Sequence, residues 1–157
     1  MKPKLYYFYT IKDKFFTDYP DDNLKHNKNQ KRPFYVCVKD NNGLFWVIPC
    51  TSQCEKYNDM IERARENNRP LDKWHKIQVG GINNILLIQD IFPIKEEYIE
   101  KEFVKNSVHQ RIASTIEQKT ITKKANRIIA IRRYKGKLFD GQADILKIEA
   151  GLLSNKK

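Results

Sequence analysis

Residues 34–49 constrain the fold of this chain more than any other stretch. The sequence FYVCVKDNNGLFWVIP places two apolar runs on either side of Asp40-Asn41-Asn42-Gly43. Asn and Gly readily adopt the positive φ angles that a tight turn between antiparallel strands requires. The pattern therefore predicts a β-hairpin.

Further strands are predicted where short runs are rich in aromatic and β-branched residues. These runs cover residues 4–11, 74–79 and 84–90. In the tail, residues 144–149 are assigned to a last strand in preference to a short helix. Residues 94–104 fit either a turn or a short helix.

Two helices are predicted, over residues 55–68 and 114–137. The first has apolar residues at i, i+3, i+4 and i+7, which are Tyr57, Met60, Ile61 and Ala64. Ser114 and Glu117 have the spacing of a capping box at the start of the second helix, and Gly136 is placed to end it. Between the first strand and the hairpin, residues 17–33 are polar and predict a long loop, and such loops are often functional.

The order of these elements predicts the α+β class. Short antiparallel strands favour a small curled sheet or a partly open barrel with helices outside. No repeat or linker interrupts the 157 residues, so we expect a single domain over residues 1–157.

The charge of the chain predicts an anionic partner. Thirty Lys and Arg residues face 19 Asp and Glu residues, which gives a net charge of +11. Such an excess favours nucleic acid, although a Lys-rich proteome would also produce it. The three cysteines are odd in number and indicate a reducing compartment. No secretory or membrane-spanning segment is recognisable, so we expect a cytoplasmic protein without a metal or cofactor.

Thr51 and Ser52 lie between the hairpin and the first predicted helix. Ser52 and Glu55 fit a capping box, which predicts a purely structural role. A helix N-terminus also binds anions, because its free N–H groups and dipole favour negative charge. Lys56 in the first turn opposes the dipole and is better explained beside a phosphate. A turn centred near residue 42 would place Arg32 opposite Ser52.

The order of these residues resembles a known family. The segments KRPFYVCVKDNNGLFWVIPCTSQCEKY and NILLIQDIFPI are similar to the toxins of type III toxin–antitoxin systems, the ToxN, AbiQ and CptN endoribonucleases, with the CptN branch closest. The resemblance implies a compact fold related to Kid and MazF. It also implies RNA cleavage without a metal, by attack of the 2′-hydroxyl. A small pseudoknot RNA antitoxin, which the toxin itself processes, would inhibit the toxin in a heteromeric assembly. Some members of the family act in phage defence.

The resemblance implies a catalytic set of Arg32, Thr51, Ser52 and Lys56. In this set, Arg32 and Lys56 would stabilise the phosphate, and the two hydroxyls would fix it by hydrogen bonds. The chain departs from the ToxN pattern in two places. Its lysine follows the serine by four positions instead of two, and Lys28 stands where that pattern has tyrosine. The general base stays open between a lysine of lowered pKa and His26.

Further residues are predicted to contact RNA. Three of them, His26, Lys28 and Lys31, lie in the long loop, and Gln53 follows the hydroxyl pair. The long helix adds a basic set that predicts a phosphate-binding groove, or alternatively a solvated face. This set is Lys123, Lys124, Arg127, Arg132 and Arg133. A few aromatic side chains of the first strands and hairpin are candidates to stack on bases, although most are expected in the core.

Two other functions are compatible with the sequence. A type II toxin of the MazF kind is also a metal-free ribonuclease, but its antitoxin is a protein. A non-catalytic RNA-binding module would bind RNA with strong salt dependence and leave it uncut.

Overall fold

The computed structural model describes residues 1–24 and 32–154, and it confirms the α+β class. Seven strands form one antiparallel sheet, in which six follow the order β4-β5-β3-β2-β1-β7 and β6 also pairs with β3. The path has two ends, β4 and β7, so the described strands do not close into a barrel. The seven strands are β1 (Phe8–Ile11), β2 (Phe34–Lys39), β3 (Phe45–Thr51), β4 (Trp74–Val79), β5 (Ile82–Leu87), β6 (Phe92–Ile94) and β7 (Ile99–Glu102).

Four helices and a small ribbon complete the described fold. The ribbon pairs β8 (Val104–Lys105) with β9 (Val108–His109). The helices are α1 (Asp13–Asp18), α2 (Cys54–Glu66), α3 (Thr115–Lys135) and α4 (Ile145–Ser154). None of these helices combines the length and apolar character that a membrane crossing requires.

The predicted hairpin is confirmed as the pair β2–β3. Phe34 pairs with Pro49, and the register shifts by one residue between Val36 and Val38. Asp40 closes the turn with its carboxylate, which accepts hydrogen bonds from the backbone N–H of Asn42 and of Leu44 at 2.9 and 3.0 Å. The other oxygen of this carboxylate accepts the indole N–H of Trp46 at 2.9 Å.

Strand β3 connects the two halves of the sheet because it is paired along both edges. On one side it pairs with β2. On the other side its first residues pair with β6, and Cys50 and Thr51 pair with Leu86 and Ile85 of β5. All seven residues of β3 are buried, including the polar Thr51.

The two predicted helices are also confirmed. Helix α2 buries Tyr57, Ile61 and Ala64 against β4 and β5, which forms a small second core. Helix α3 buries Ile121, Ala125 and Ile128 in the main core. The Ser114 hydroxyl accepts the backbone N–H of Glu117 at 3.3 Å, and Gly136 adopts φ +80° at the other end.

The prediction of a last strand over residues 144–149 is wrong, because these residues belong to α4. Ile145, Ile148 and Leu152 are buried at i, i+3 and i+7, which is a helical period. The Asp144 carboxylate accepts the N–H of Lys147, as a residue at a helix start does. Six residues are too few to separate this period from alternation.

Three other segments differ from the predictions. Helix α1 covers residues 13–16, for which no element was predicted, and the first two residues of the predicted loop. The strand predicted at 84–90 ends at Leu87, and a 3₁₀ turn follows at Ile88–Asp90. Residues 94–104 contain a 3₁₀ turn, Glu96–Tyr98, before β7.

We expect Asp40→Ala to lower the free energy of unfolding by about 1–3 kcal/mol, because it leaves the buried Trp46 indole N–H without an acceptor. Asp59→Ala is the matched control, since Asp59 lies exposed on α2 and its loss should change stability by less than about 0.5 kcal/mol. Urea unfolding of both variants measures the difference. Equal midpoints would show that the carboxylate does not hold the turn.

Candidate functional site

Thr51 and Ser52 lie in a short turn between β3 and α2. Thr51 is buried at the end of β3, and its hydroxyl accepts the backbone N–H of Gln53 at 3.1 Å. Ser52 is exposed, and its carbonyl accepts the N–H of Cys54 at 2.8 Å. The Ser52 hydroxyl makes no hydrogen bond with the described residues. The turn therefore presents one fixed hydroxyl and one exposed hydroxyl.

The predicted capping box at Ser52 is wrong. Helix α2 begins at Cys54, its N-cap residue is Gln53, and no side chain caps it. The Thr51 hydroxyl takes the Gln53 N–H, and the helix starts late enough that Glu55 is its second residue instead of the third. A purely structural explanation of Ser52 as a cap is thus removed.

Arg32 lies beside this turn and is 8% exposed. One guanidinium nitrogen, Nη1, donates to the Cys50 carbonyl at 2.7 Å. The register shift in the hairpin places position 32 in line with Thr51, one residue before the predicted partner Ser52. Burial lowers the pKa of the Arg32 guanidinium, and the charge of Asp90 opposes that effect. The guanidinium remains a cation at the end of β3 because arginine side chains are not deprotonated in proteins.

Gln53 and Lys56 are both exposed near the start of α2, with Lys56 in its first turn. The Lys56 ammonium lies 5.4 Å from the centroid of the Tyr57 ring, in a cation–π contact. The structure thus places two of the four proposed catalytic residues, Thr51 and Ser52, at the junction of β3 and α2, with Lys56 in the first turn of α2 and Arg32 bonded to the carbonyl of Cys50. The three loop predictions, His26, Lys28 and Lys31, lie outside the described residues.

The outer face of α3 contributes a basic groove of about 630 Å³. Of the predicted residues, Lys123 and Arg127 line it, together with Lys119, which the sequence prediction missed. These three cations recur every four residues and so form one stripe along the helix. Arg127 also contacts the Asp72 carboxylate at 3.1 Å. Tyr6, half-buried, lines the same groove and offers an aromatic side chain there.

The prediction that Arg132 binds RNA is wrong. This side chain is 1% exposed, because it continues the buried stripe of α3 one turn beyond Ile128. Its guanidinium donates to the carbonyls of Gly136, Gln89 and Ala143. This side chain therefore links the end of α3 to the 3₁₀ turn after β5 and to the segment before α4.

Arg133 and Lys124 are each engaged with other protein groups. Arg133 forms a two-pronged ion pair with the Glu149 carboxylate at 2.7 and 2.8 Å, and it covers the Trp46 ring. Lys124 is half-buried and donates to the Trp74 carbonyl at 2.9 Å. Both side chains therefore stabilise the packing of α3. Their charged groups already make hydrogen bonds or ion pairs within the protein.

A half-buried histidine beside Lys124 was not predicted. His75 Nδ1 lies 3.2 Å from Lys124 Nζ, and His75 Nε2 lies 3.2 Å from a carboxylate oxygen of Glu117. Burial, followed by the Lys124 charge, lowers the pKa of His75, while Glu117 opposes them. Burial also lowers the pKa of Lys124. The three residues come from β4 and from two turns of α3, so no local sequence pattern joins them.

Most aromatic candidates for base stacking lie in the core, as expected, and two are half-buried. Phe8, Tyr35 and Trp46 are core residues with 1% exposure or less. Tyr7 is half-buried between His109, at 4.6 Å between ring centroids, and Arg111, at 5.8 Å. Tyr6 alone of these lines the basic groove.

We expect acidification to reduce the stability of the protein through His75. Its folded-state pKa lies below the unfolded value of about 6.5, so the unfolded chain binds more protons as the pH falls through that window. Wild type should therefore lose stability between pH 7.5 and pH 5 relative to His75→Gln, which cannot take up this proton. Urea unfolding at several pH values measures the difference. If the stability of wild type relative to His75→Gln stayed constant or rose on acidification, a folded-state pKa of His75 below the unfolded value would be contradicted.

Comparison with known proteins identifies a fold. No model of a protein family matches the chain, and no curated protein matches it. Among solved structures, AbiQ has a TM-score of 0.68 to this chain at 15% sequence identity, with 98% of this chain and 100% of AbiQ covered. AbiQ is a lactococcal anti-phage endoribonuclease of a type III toxin–antitoxin system. The likeness in fold that the sequence predicted is confirmed: the described residues have the fold of AbiQ.

Proposed function

We propose that this chain is an endoribonuclease and the toxin of a type III toxin–antitoxin system. The observation that carries the proposal is the match in fold, which spans the whole of AbiQ. The turn at Thr51-Ser52 and the neighbouring Arg32 guanidinium support it, because they gather hydroxyls and positive charge at one end of β3.

The proposed reaction is a transesterification within the RNA. The 2′-oxygen attacks the adjacent phosphorus, so an O2′–P bond forms and the P–O5′ bond breaks. The 2′-hydroxyl gives its proton to a base, and the leaving 5′-oxygen takes up a proton. The products are a 2′,3′-cyclic phosphate and a 5′-hydroxyl, and no metal takes part.

Four residues have assigned roles in this proposal. Arg32 and Lys56 stabilise the charge that develops on the phosphate, since both are cations at neutral pH. The exposed Ser52 hydroxyl donates to a phosphate oxygen. Thr51, through its bond to the Gln53 N–H, positions the turn.

The partner in this proposal is RNA, both target transcripts and a small pseudoknot antitoxin that the toxin processes. Lys119, Lys123 and Arg127 would bind its phosphates along the groove of α3. The inhibited state would be a heteromeric assembly of toxin and antitoxin RNA. Nucleic acid or protein recovered with the natively purified toxin separates this assembly from a MazF-like system.

We expect Ser52→Ala to reduce RNA cleavage by at least 100-fold, the usual loss when one donor to a developing oxyanion is removed. Its stability should stay within about 0.5 kcal/mol of wild type, because this exposed hydroxyl makes no hydrogen bond with the described residues. Ser154→Ala, on the exposed end of α4, is the matched control. RNA is incubated with each protein in EDTA, and the new ends are mapped chemically.

Three outcomes decide this experiment. Cleavage by wild type to 2′,3′-cyclic phosphate ends, lost in Ser52→Ala alone, supports the proposal. Activity that disappears in EDTA and returns with Mg²⁺ contradicts the metal-free reaction. RNA bound by every variant and cut by none indicates a binding module.

We expect the double variant Lys119→Ala/Lys123→Ala to weaken RNA binding and to flatten its salt dependence. Each lost phosphate contact should reduce the slope of log affinity against log salt by about 0.7 for single-stranded RNA. Lys101→Ala/Lys147→Ala, which removes two exposed lysines of β7 and α4 outside the groove, controls for the loss of two charges. Fluorescence anisotropy over a salt series gives the slopes, and equal slopes for all three proteins would rule out the groove as an RNA surface.

A further inference from the structure

A second cavity, of about 500 Å³, lies at the end of α2 that is remote from Ser52. We call it the α2 cavity. Its walls come from the last turns of α2, the loop into β4, the 3₁₀ turn after β5 and the segment before α4. Its distinctive lining residues are Arg63, Arg69, Lys73, Trp74, Gln89 and Phe139. A volume in this range is typical of small-molecule sites.

The charge of the α2 cavity is entirely positive. Arg63, Arg69 and Lys73 line it, and no carboxylate does. None of the three makes an ion pair with any residue in the described ranges 1–24 and 32–154. Cations gathered without counter-charges repel one another and favour an anionic ligand.

Gln89 supplies a polar group at the floor of the cavity. The residue is 7% exposed, and its backbone is fixed on both sides. Its N–H donates to the Lys73 carbonyl at 3.1 Å, and its carbonyl accepts from Gln142 at 2.6 Å and from Arg132 at 3.3 Å. The Gln89 carboxamide, in contrast, makes no hydrogen bond within the described part of the chain. A carboxamide on a fixed backbone, with its donor and acceptor both unused, can form hydrogen bonds with the edge of a nucleobase.

Aromatic surface completes the cavity. Trp74 lies in its wall with 7% exposure and with the Lys73 ammonium 5.7 Å from its ring centroid. Phe139 is 45% exposed although it is a large apolar side chain, so it offers most of the aromatic surface. Unpaired bases stack on such aromatic rings, and this stacking does not depend on base identity. Apolar rings, a free carboxamide and three cations correspond to the base, the base edge and the phosphate of one nucleotide.

We propose that the α2 cavity binds one unpaired nucleotide of RNA. The base packs against Phe139 and Trp74, Gln89 reads its edge, and Arg63, Arg69 and Lys73 hold its phosphate. Thirteen helical residues separate the two ends of α2, which corresponds to roughly 20 Å. The nucleotide in the cavity is therefore remote from the scissile phosphate, and the cavity selects a flanking position. This inference rests on the proposed function for its RNA partner.

Binding of ribonucleoside monophosphates, followed by quenching of tryptophan fluorescence, tests the cavity without any cleavage. We expect AMP, GMP, CMP or UMP to bind wild type at least tenfold more tightly than inorganic phosphate, because the base adds contacts. Phe139→Ala should weaken this binding about 5- to 150-fold, the range that the loss of one stacked base gives. Tyr134→Ala, an exposed aromatic residue of α3 outside the cavity, is its control.

Gln89→Glu provides a second variant with opposite effects on ligand binding and on folding. The new carboxylate would face three cations, so the melting temperature should stay the same or rise while nucleotide binding falls at least tenfold. Gln78→Glu, exposed on β4, controls for net charge. A Gln89→Glu protein that fails to fold leaves Phe139→Ala and Tyr134→Ala to decide.

Several outcomes would overturn the inference. These are phosphate binding as tight as nucleotide binding, no nucleotide binding at millimolar concentration, or binding that both cavity variants leave unchanged. The two proposals fail separately. Nucleotide binding that follows this pattern in a protein that cuts no RNA rejects the nuclease and keeps the cavity, whereas Ser52-dependent cleavage without nucleotide binding does the reverse.

Discussion

The pairing of β3 along both of its edges is the constraint on which the rest of the structure depends. Because β2 lies on one side and β6 and β5 on the other, a single strand joins the two halves of the sheet. Every residue of β3 is buried, so neither its register nor its end point can slip without exposing apolar surface. The turn that follows is anchored by this strand, so Thr51 and Ser52 are held at a fixed place relative to Arg32.

Burying the Arg32 guanidinium costs free energy that packing alone does not return. The Cys50 carbonyl and the charge of Asp90 offset part of that cost. Evolution could place an apolar side chain here with little loss of stability, as is common for buried charges. In the proposed reaction, this cation beside the two hydroxyls stabilises the charge on the phosphate.

The sequence alone was sufficient for elements whose signal is local. The hairpin carries its own turn residues, and α3 carries Ser114 at one end and Gly136 at the other. The tail failed because six residues do not distinguish a helical period from alternation. The capping box failed because α2 begins at Cys54, with Gln53 as its N-cap residue, so Glu55 is not the third helical residue. The His75 cluster and the α2 cavity were not predictable, since tertiary contacts assemble them from distant segments.

The basic residues of the chain separate into two groups that composition cannot distinguish. Arg132 donates to three carbonyls and Arg133 pairs with the Glu149 carboxylate, so both charges contribute to the packing of α3 against the neighbouring segments and α4. Lys119 and Lys123 on the outer face of α3, like the cations of the α2 cavity, have no carboxylate partner among the described residues. Charges of this second kind have no carboxylate to offset their mutual repulsion, so they gain more than the paired ones when a polyanion binds. The net charge of +11 therefore says less about where a polyanion could bind than do the positions of these unpaired cations, which lie along α3 and at the end of α2 remote from Ser52.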